Sequence, residues 1–300
     1  GPDEHVFGRI GDVAPHPSGN IFVLDELLYG LRWYGPDGTF RRRAGRQGGG
    51  PGEFQAPMGF AVDSSGIVHV LDARLRRISS FQPTPEGLVH IRDLTTAFPA
   101  FGICILDDDF FLLTPNASEV VVRLDSTGQV VRRFGKQIGI PQEEARLGWY
   151  ARGTVIQYNQ GELACMPAAH AVVLLHRLLP LVRAFSPDGA VLWETRLADY
   201  HQSRPEFYRG GPQVYRAPDP KSGTANSGCG IAPVDDRMLV ITLCEYGPSI
   251  ETEFEFRFLS SGDGQELGRP PAPAVLSAIA ARTGYGHVGE PYPKVVLFRR

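Results

Sequence analysis

Short apolar runs closed by glycine turns recur along this 300-residue chain. Val13 to Asp25 reads as a strand, a turn at Gly19 and a second strand, Ile21-Phe22-Val23-Leu24-Asp25. Phe60 to Asp72 repeats it 47 residues later, with the turn at Gly66 and the ending Val68-His69-Val70-Leu71-Asp72. A fixed period of this size is the signature of stacked or circular repeats. After each Asp a further hairpin is expected, punctuated at Asp37-Gly38, Asp125 to Gly128, Asp188-Gly189 and Asp263-Gly264, with a looser copy from Phe81 to Gly87. Asp-Gly suits such turns because glycine accepts positive φ while the Asp side chain bonds nearby amides.

Two successive hairpins make one four-stranded antiparallel blade. The turn glycines Gly38, Gly87, Gly128, Gly189 and Gly264 mark five blades, and first strand pairs recur at 102–114, 153–166 and 228–243. Residues 275–300 supply an apolar start, a turn at Gly284-Tyr285-Gly286 and the strand Val295 to Phe298, but no fourth strand. His5-Val6-Phe7-Gly8-Arg9 resembles the outer-strand end Arg133-Phe134-Gly135-Lys136, so the N-terminus is expected to complete the sixth blade and bury its edge. The predicted fold is all-β: one domain over 1–300, a six-bladed β-propeller closed by its N-terminal strand. Spacing between turn glycines widens in the later blades, which places loop insertions at about 135–152, 166–181 and 198–227. Loops joining blades and loops joining second to third strands emerge on one face, and long loops there are usually functional.

The junction Gly45-Arg46-Gln47-Gly48-Gly49-Gly50-Pro51-Gly52-Glu53-Phe54, followed by Pro57 and then Gly59-Phe60-Ala61-Val62-Asp63, resembles that of NHL-repeat proteins. The likeness is strongest in blades one and two and fades beyond Gly189. It implies a six-bladed propeller with a binding face, and in some relatives a metal-dependent lyase or hydrolase site over the hub built on histidines. The innermost strands expected here, 60–62, 102–105, 153–156 and 228–231, contain no histidine.

Composition changes this picture little. The chain is 42% apolar with 35 Gly and 25 Pro, as many short strands require. A net charge of −3 argues against a general nucleic-acid binder. No apolar run of membrane-spanning length occurs. Gly1-Pro2 has the look of a protease-cleavage remnant, so a natural N-terminus, with any signal peptide, is expected to have been trimmed.

Candidate chemistry is sparse. The eight histidines are scattered and lack zinc spacings, so no metal site is expected; His201 and His170 are those that could line a pocket. Asp25 and Asp72 are expected to cap turns rather than ligate calcium. Cys229 and Cys244 face each other if a hairpin turns at Asp235-Asp236, which makes them the disulfide candidate and points to a periplasmic or extracellular location. Cys104 and Cys165, on different blades, are expected to be free.

The insertions interleave aromatics with arginine, a composition typical of binding hot spots. Trp149, Tyr150, Arg152, His201, Arg204, Tyr208, Arg209, Tyr215 and Arg216 are the expected contacts, with Phe207 beside them. Residues 168–181 read either as a short rim helix or as an apolar lip for a peripheral membrane or assembly contact. The first reading is a non-catalytic propeller that binds a protein or small-molecule ligand through the insertion-bearing face, without a cofactor. The alternatives are an NHL-like lyase or hydrolase with a hub-centred site, which alone would call for Ca or Zn, and a structural subunit of a larger assembly.

Overall fold

The computed structural model describes residues 6–139, 150–202, 207–208, 211–212, 225–246, 253–280, 283–288 and 294–299. It is an all-β six-bladed propeller, with blades that are mostly four-stranded and antiparallel. Blade 1 comprises β1 (Ile10–Pro15), β2 (Ile21–Asp25), β3 (Gly30–Tyr34) and β4 (Phe40–Ala44). Blade 2 comprises β5 (Pro57–Val62), β6 (Val68–Asp72), β7 (Arg77–Thr84) and β8 (Gly87–Thr95). Blade 3 is β9 (Ile103–Leu106), β10 (Asp109–Leu113), β11 (Glu119–Leu124) and β12 (Val130–Lys136). A helix, α1 (Tyr150–Tyr158), then precedes blade 4, which is β13 (Gly161–Met166), β14 (Ala171–His176), β15 (Leu181–Phe185) and β16 (Val191–Arg196). A small pair, β17 (Phe207–Tyr208) and β18 (Gly211–Pro212), leads to blade 5: β19 (Ala225–Asp235), β20 (Met238–Tyr246), β21 (Glu253–Ser260) and β22 (Glu266–Gly268). The sixth sheet has three strands, β23 (Val275–Ala280), β24 (Thr283–Val288) and β25 (Lys294–Arg299).

Contacts divide the chain into two compact units. One contains blades 1 and 2, the sixth sheet and part of blade 3; the other contains the rest of blade 3 and blades 4 and 5. Within each unit the second strand of a blade is sandwiched on both faces. β2, β6 and β14 are therefore buried at every position, which is why they read as continuous apolar runs instead of alternating ones. In the first unit Phe22, Leu24 and Leu31 of blade 1 meet Phe60, Val70 and Phe81 of blade 2 in one cluster. In the second, Val173, Leu175 and Ala184 of blade 4 meet Ile231, Ile241 and Leu259 of blade 5.

The structure departs from the sequence reading in blades 4 and 6. Gly153-Thr154-Val155-Ile156, whose β-branched run suggested an innermost strand, lies in α1. The first strand of blade 4 starts instead at Gly161, where a Cβ would fall 2.0 Å from the Leu175 carbonyl oxygen, so only glycine fits. Residues 166–181 are not an insertion, a rim helix or an exposed lip: they hold a tight turn and β14, whose apolar side chains are in the core. Gly284 and Gly286 lie inside β24, not in a turn, and are buried where β24 lies against β1.

Closure by an N-terminal strand is not seen. His5 lies outside the described residues, and residues 6–9 are not in a strand. The Gly8 and Arg9 amides donate to the Asp25 carboxylate at 2.9 and 3.1 Å, and Phe7 packs with Tyr285 and Val295 against the cluster built on Ile10, Val13 and Tyr34. The N-terminal segment thus contributes side-chain packing to the sixth blade's neighbourhood.

Candidate functional site

The third strand of each of blades 1 to 5 carries one arginine: Arg32, Arg77, Arg123, Arg183 and Arg257. Four of these guanidiniums reach back to backbone carbonyls that precede their own blade in the chain. Arg32 donates to Val6 O at 2.6 Å, Arg77 to Gly50 O at 2.6 Å and to Glu53 O, Arg183 to Lys136 O at 2.9 Å, and Arg257 to Ala198 O. A guanidinium offers five donors in a rigid fork, so a single side chain can hold a strand partner and a passing backbone together. Acidic partners complete these clamps: Asp25 for Arg32 at 3.2 Å, Asp93 for Arg77 at 3.3 Å, Glu194 for Arg183 at 2.8 Å and Glu255 for Arg257 at 2.6 Å. Arg123 pairs with Asp109 at 2.6 Å.

In blades 4 and 5 the clamped carbonyls sit where the insertions begin. Beyond Lys136, the Ile138 amide donates to Asn159 Oδ1 at 2.8 Å, while Asn159 Nδ2 donates to Ile138 O and Val155 O. Asn159 is fully buried and so ties the start of the first insertion to the end of α1. Beyond Ala198, Asp199 takes a left-handed φ of 52° and is held by Arg269 at 2.7 Å. That hydrogen bond and charge keep the Asp199 carboxyl below its usual range, and Glu266 with Asp199 pushes Arg269 upward.

The roots of both insertions meet at one residue. The Arg177 amide donates to Gln160 O at 2.9 Å, at the exit of the first insertion. The Arg177 carbonyl accepts from the Tyr200 hydroxyl at 2.8 Å, at the start of the second, and from the Gly228 amide at 2.9 Å. Its side chain pairs with Glu162 at 2.9 Å. His201 continues this framework through its backbone, donating to Asn226 Oδ1 at 2.7 Å and accepting from the Asn226 amide at 2.8 Å.

Of the contacts expected from sequence, His201 is thus placed at the root of the second insertion, Tyr208 lies on β17 opposite Gly211, and Tyr150 and Arg152 lie on α1. Trp149, Arg204, Arg209, Tyr215 and Arg216 lie outside the described residues. His170 does not join them: it is a turn residue with φ 46° between β13 and β14. Sequence reasoning missed the arginine clamps, Asn159 and Arg177. The clamps left one trace, a recurring arginine in the third strands of blades 1 to 5; Asn159 and Arg177 carry no local signal.

The remaining polar groups are architectural. Asp72 accepts from the Gln55, Ala56, Arg74 and Leu75 amides, and Asp25 does likewise for Gly8, Arg9 and Leu28. His69 is sandwiched between Ser80 and Asp63, and burial lowers its pKa against the pull of Asp63. His176 is fully buried, with Nδ1 on Tyr158 O at 2.8 Å, and desolvation takes it down to about 4. Among the described residues no cluster of three or more His, Cys, Asp or Glu could hold a metal ion, and no helix is long and apolar enough to cross a membrane.

Cys229 and Cys244 are bridged, with Cα atoms 6.0 Å apart. They are not directly opposed: Cys244 pairs with Ser227, and Cys229 occupies the bulge between Gly228 and Gly230, from which it reaches across. Cys104 and Cys165 are disulfide-bonded as well, so no cysteine is free.

Comparison with known proteins bears on fold. Residues 1–111 match the DUF5128 family, described as a 6-bladed beta-propeller. Among solved structures, a protein of Bacteroides fragilis NCTC 9343 described as exported is similar with a TM-score of 0.63 at 11% identity, covering 95% of this chain and 81% of its own. A DUF4221 family member from Bacteroides vulgatus gives 0.57 at 12% identity, covering 99% and 94%. Virginiamycin B lyase from Staphylococcus aureus gives 0.51 at 12% identity, covering 92% and 90%. At these identities the likeness is one of fold. No curated protein sequence matches the chain.

Proposed function

We propose that this chain is an extracytoplasmic binding propeller of NHL-like type that engages a protein or small-molecule partner with its two insertions. The observation that carries the reading is the convergence of both insertion roots on Arg177. The described ends of both insertions are hydrogen-bonded to one short loop, and arginine clamps of the kind that serve the repeat elsewhere hold the carbonyls at which the insertions begin. A rigid base under variable loops is the usual arrangement for recognition. The two disulfides support a compartment outside the reducing cytoplasm, and the Gly45 to Asp63 junction supports the NHL-like type.

A photo-crosslinking amino acid placed at Tyr208 or Tyr215, and in parallel at exposed Ser126 as control, tests the reading. Incubation with the extracytoplasmic fraction of the source cell is expected to give discrete adducts from the insertion positions and none from Ser126. Equal adduct patterns at all three positions would overturn it.

A further inference from the structure

At the end of blades 1 and 2 remote from Asp25 and Asp72 lies a second feature, which the insertion reading does not use. Asn20, Trp33, Arg41, Arg42 and Pro85 line a cleft of about 390 Å³. That is within the size range of small-ligand sites, roughly 300–1,000 Å³. We propose that this cleft binds a small acidic saccharide, whose carboxylate or sulfate is held by Arg41 and Arg42.

The Arg42 guanidinium is positioned without being neutralised. Arg42 Nε donates to Glu86 O at 3.1 Å and its Nη1 to Arg41 O at 2.8 Å; carbonyls orient the group and leave its charge and Nη2 available. Arg41 makes no hydrogen bond or ion pair among the described residues. The nearby Asp37 carboxylate accepts from the Thr39 amide at 3.0 Å and the Thr39 hydroxyl at 2.7 Å and meets Arg41 through charge alone, which leaves the Arg41 donors free. A guanidinium with free donors takes an oxyanion in preference to any neutral group.

The repeat marks Arg41 as a departure. Counted from the turn glycines Gly38, Gly128 and Gly189, Arg41 stands where blades 3 and 4 have Val131 and Leu192, both about half exposed. An outer strand that in blades 3 and 4 presents an apolar side chain here presents a cation whose donors are free, beside the Asp37 carboxylate. Around it the cleft offers what a sugar body requires. Trp33 is fixed by stacking on Phe22 at 6.0 Å, Pro85 forms an apolar wall, and Asn20, whose Nδ2 is spent on Ser18, keeps its side-chain oxygen for a hydroxyl. One short cleft on a chain of net charge −3 does not provide the extended basic stripe that a nucleic acid needs.

The test follows the indole N–H signal of Trp33, identified by its loss in Trp33→Phe, while D-glucuronate, glucose or acetate is titrated into the full chain. Glucuronate is expected to shift that signal at lower concentration than either control, since glucose lacks the charge and acetate the ring. Arg41→Gln/Arg42→Gln should weaken the response by ~10-fold or more with an unchanged melting temperature, both side chains being exposed. If the double variant does not fold, Arg41→Gln alone must weaken it by about 3-fold, as expected for one lost charge-assisted contact. No shift with glucuronate, an equal shift with glucose or acetate, or an undiminished shift in the variants would overturn the proposal.

Discussion

At the head of blade 2, Asp72 pairs with Pro57 and gathers four backbone amides onto its carboxylate. At the head of blade 4, His176 pairs with Gly161 at the same register and gives its ring proton to the Tyr158 carbonyl. The difference follows from what arrives at each junction. Blade 2 is approached by an extended loop whose amides at Gln55 and Ala56 need an acceptor. Blade 4 is approached by α1, whose C-terminal end presents carbonyls that lack helical partners and need donors. His176 supplies a donor to Tyr158 O, and Asn159 Nδ2 adds a second donor to Val155 O beside the Asn159 amide. An insertion ending in a helix is compatible with the repeat once the capping side chain changes from acceptor to donor.

The harshest way to break that comparison is to restore the acidic cap where a donor is required. His176→Asp sets a buried carboxylate against the Tyr158 carbonyl and removes the imidazole donor from it. Stability should fall by about 3–5 kcal/mol, the usual penalty for an uncompensated buried charge. A urea denaturation midpoint close to that of the parent chain would show that helix-end carbonyls do not dictate the residue.

How far the sequence exposed this arrangement depends on the junction. The paired strands ending in Asp25 and Asp72 were legible because their residues and their turn glycines repeat at one offset. Blade 4 was misread through a single step. Taking Gly153 to Ile156 as its first strand makes 161–166 the second, and β14 is then left over as an apparent insertion. Local β propensity favoured that choice, whereas the capping of α1 by Asn159 and His176 is a tertiary effect with no local trace. The arginine clamps failed to register for the opposite reason. An arginine inside a third strand looks like an ordinary outward polar position, and only the geometry reveals that Arg183 and Arg257 are buried and reach the insertion roots. Of the expected contacts, the described residues place His201, Tyr150, Arg152 and Tyr208 at or within the insertions. That location was readable from the broken repeat; the convergence on Arg177 was not.

The same contrast has a pH signature, smaller than the effect of the substitution. Buried His176 titrates at about 4, driven down first by desolvation and also by Arg183, against the pull of Glu194 and its bond to Tyr158. In the unfolded chain a histidine titrates near ~6.5. Between those values the unfolded state binds more protons, so stability declines as pH falls below ~6.5 and the loss from this group is complete near about 4. The full contribution is about 3 kcal/mol. His176→Gln retains a donor for Tyr158 O but cannot titrate, so denaturation at pH 7 and at pH 4.5 should show a shallower decline than in the parent. Parallel declines would place the acid sensitivity elsewhere.

At the blade 2 junction the expected effect is smaller, because two devices share the work. Asp72→Asn keeps one oxygen for the Arg74 and Leu75 amides but turns an NH2 toward those of Gln55 and Ala56, which leaves two donors without an acceptor. Loss of such bonds costs about 2 kcal/mol. The approach segment should nevertheless stay in place, since Arg77 still holds the Gly50 and Glu53 carbonyls a few residues earlier. Hydrogen exchange should therefore quicken at Gln55 and Ala56 while Phe54, whose amide donates to Arg46 O at 2.8 Å, remains protected. Combining Asp72→Asn with Arg77→Met should cost more than the two changes summed, because each removes the other's backup. Strict additivity would mean that cap and clamp act on the junction independently, and that the pairing of an acceptor cap with an arginine clamp is a coincidence of the repeat.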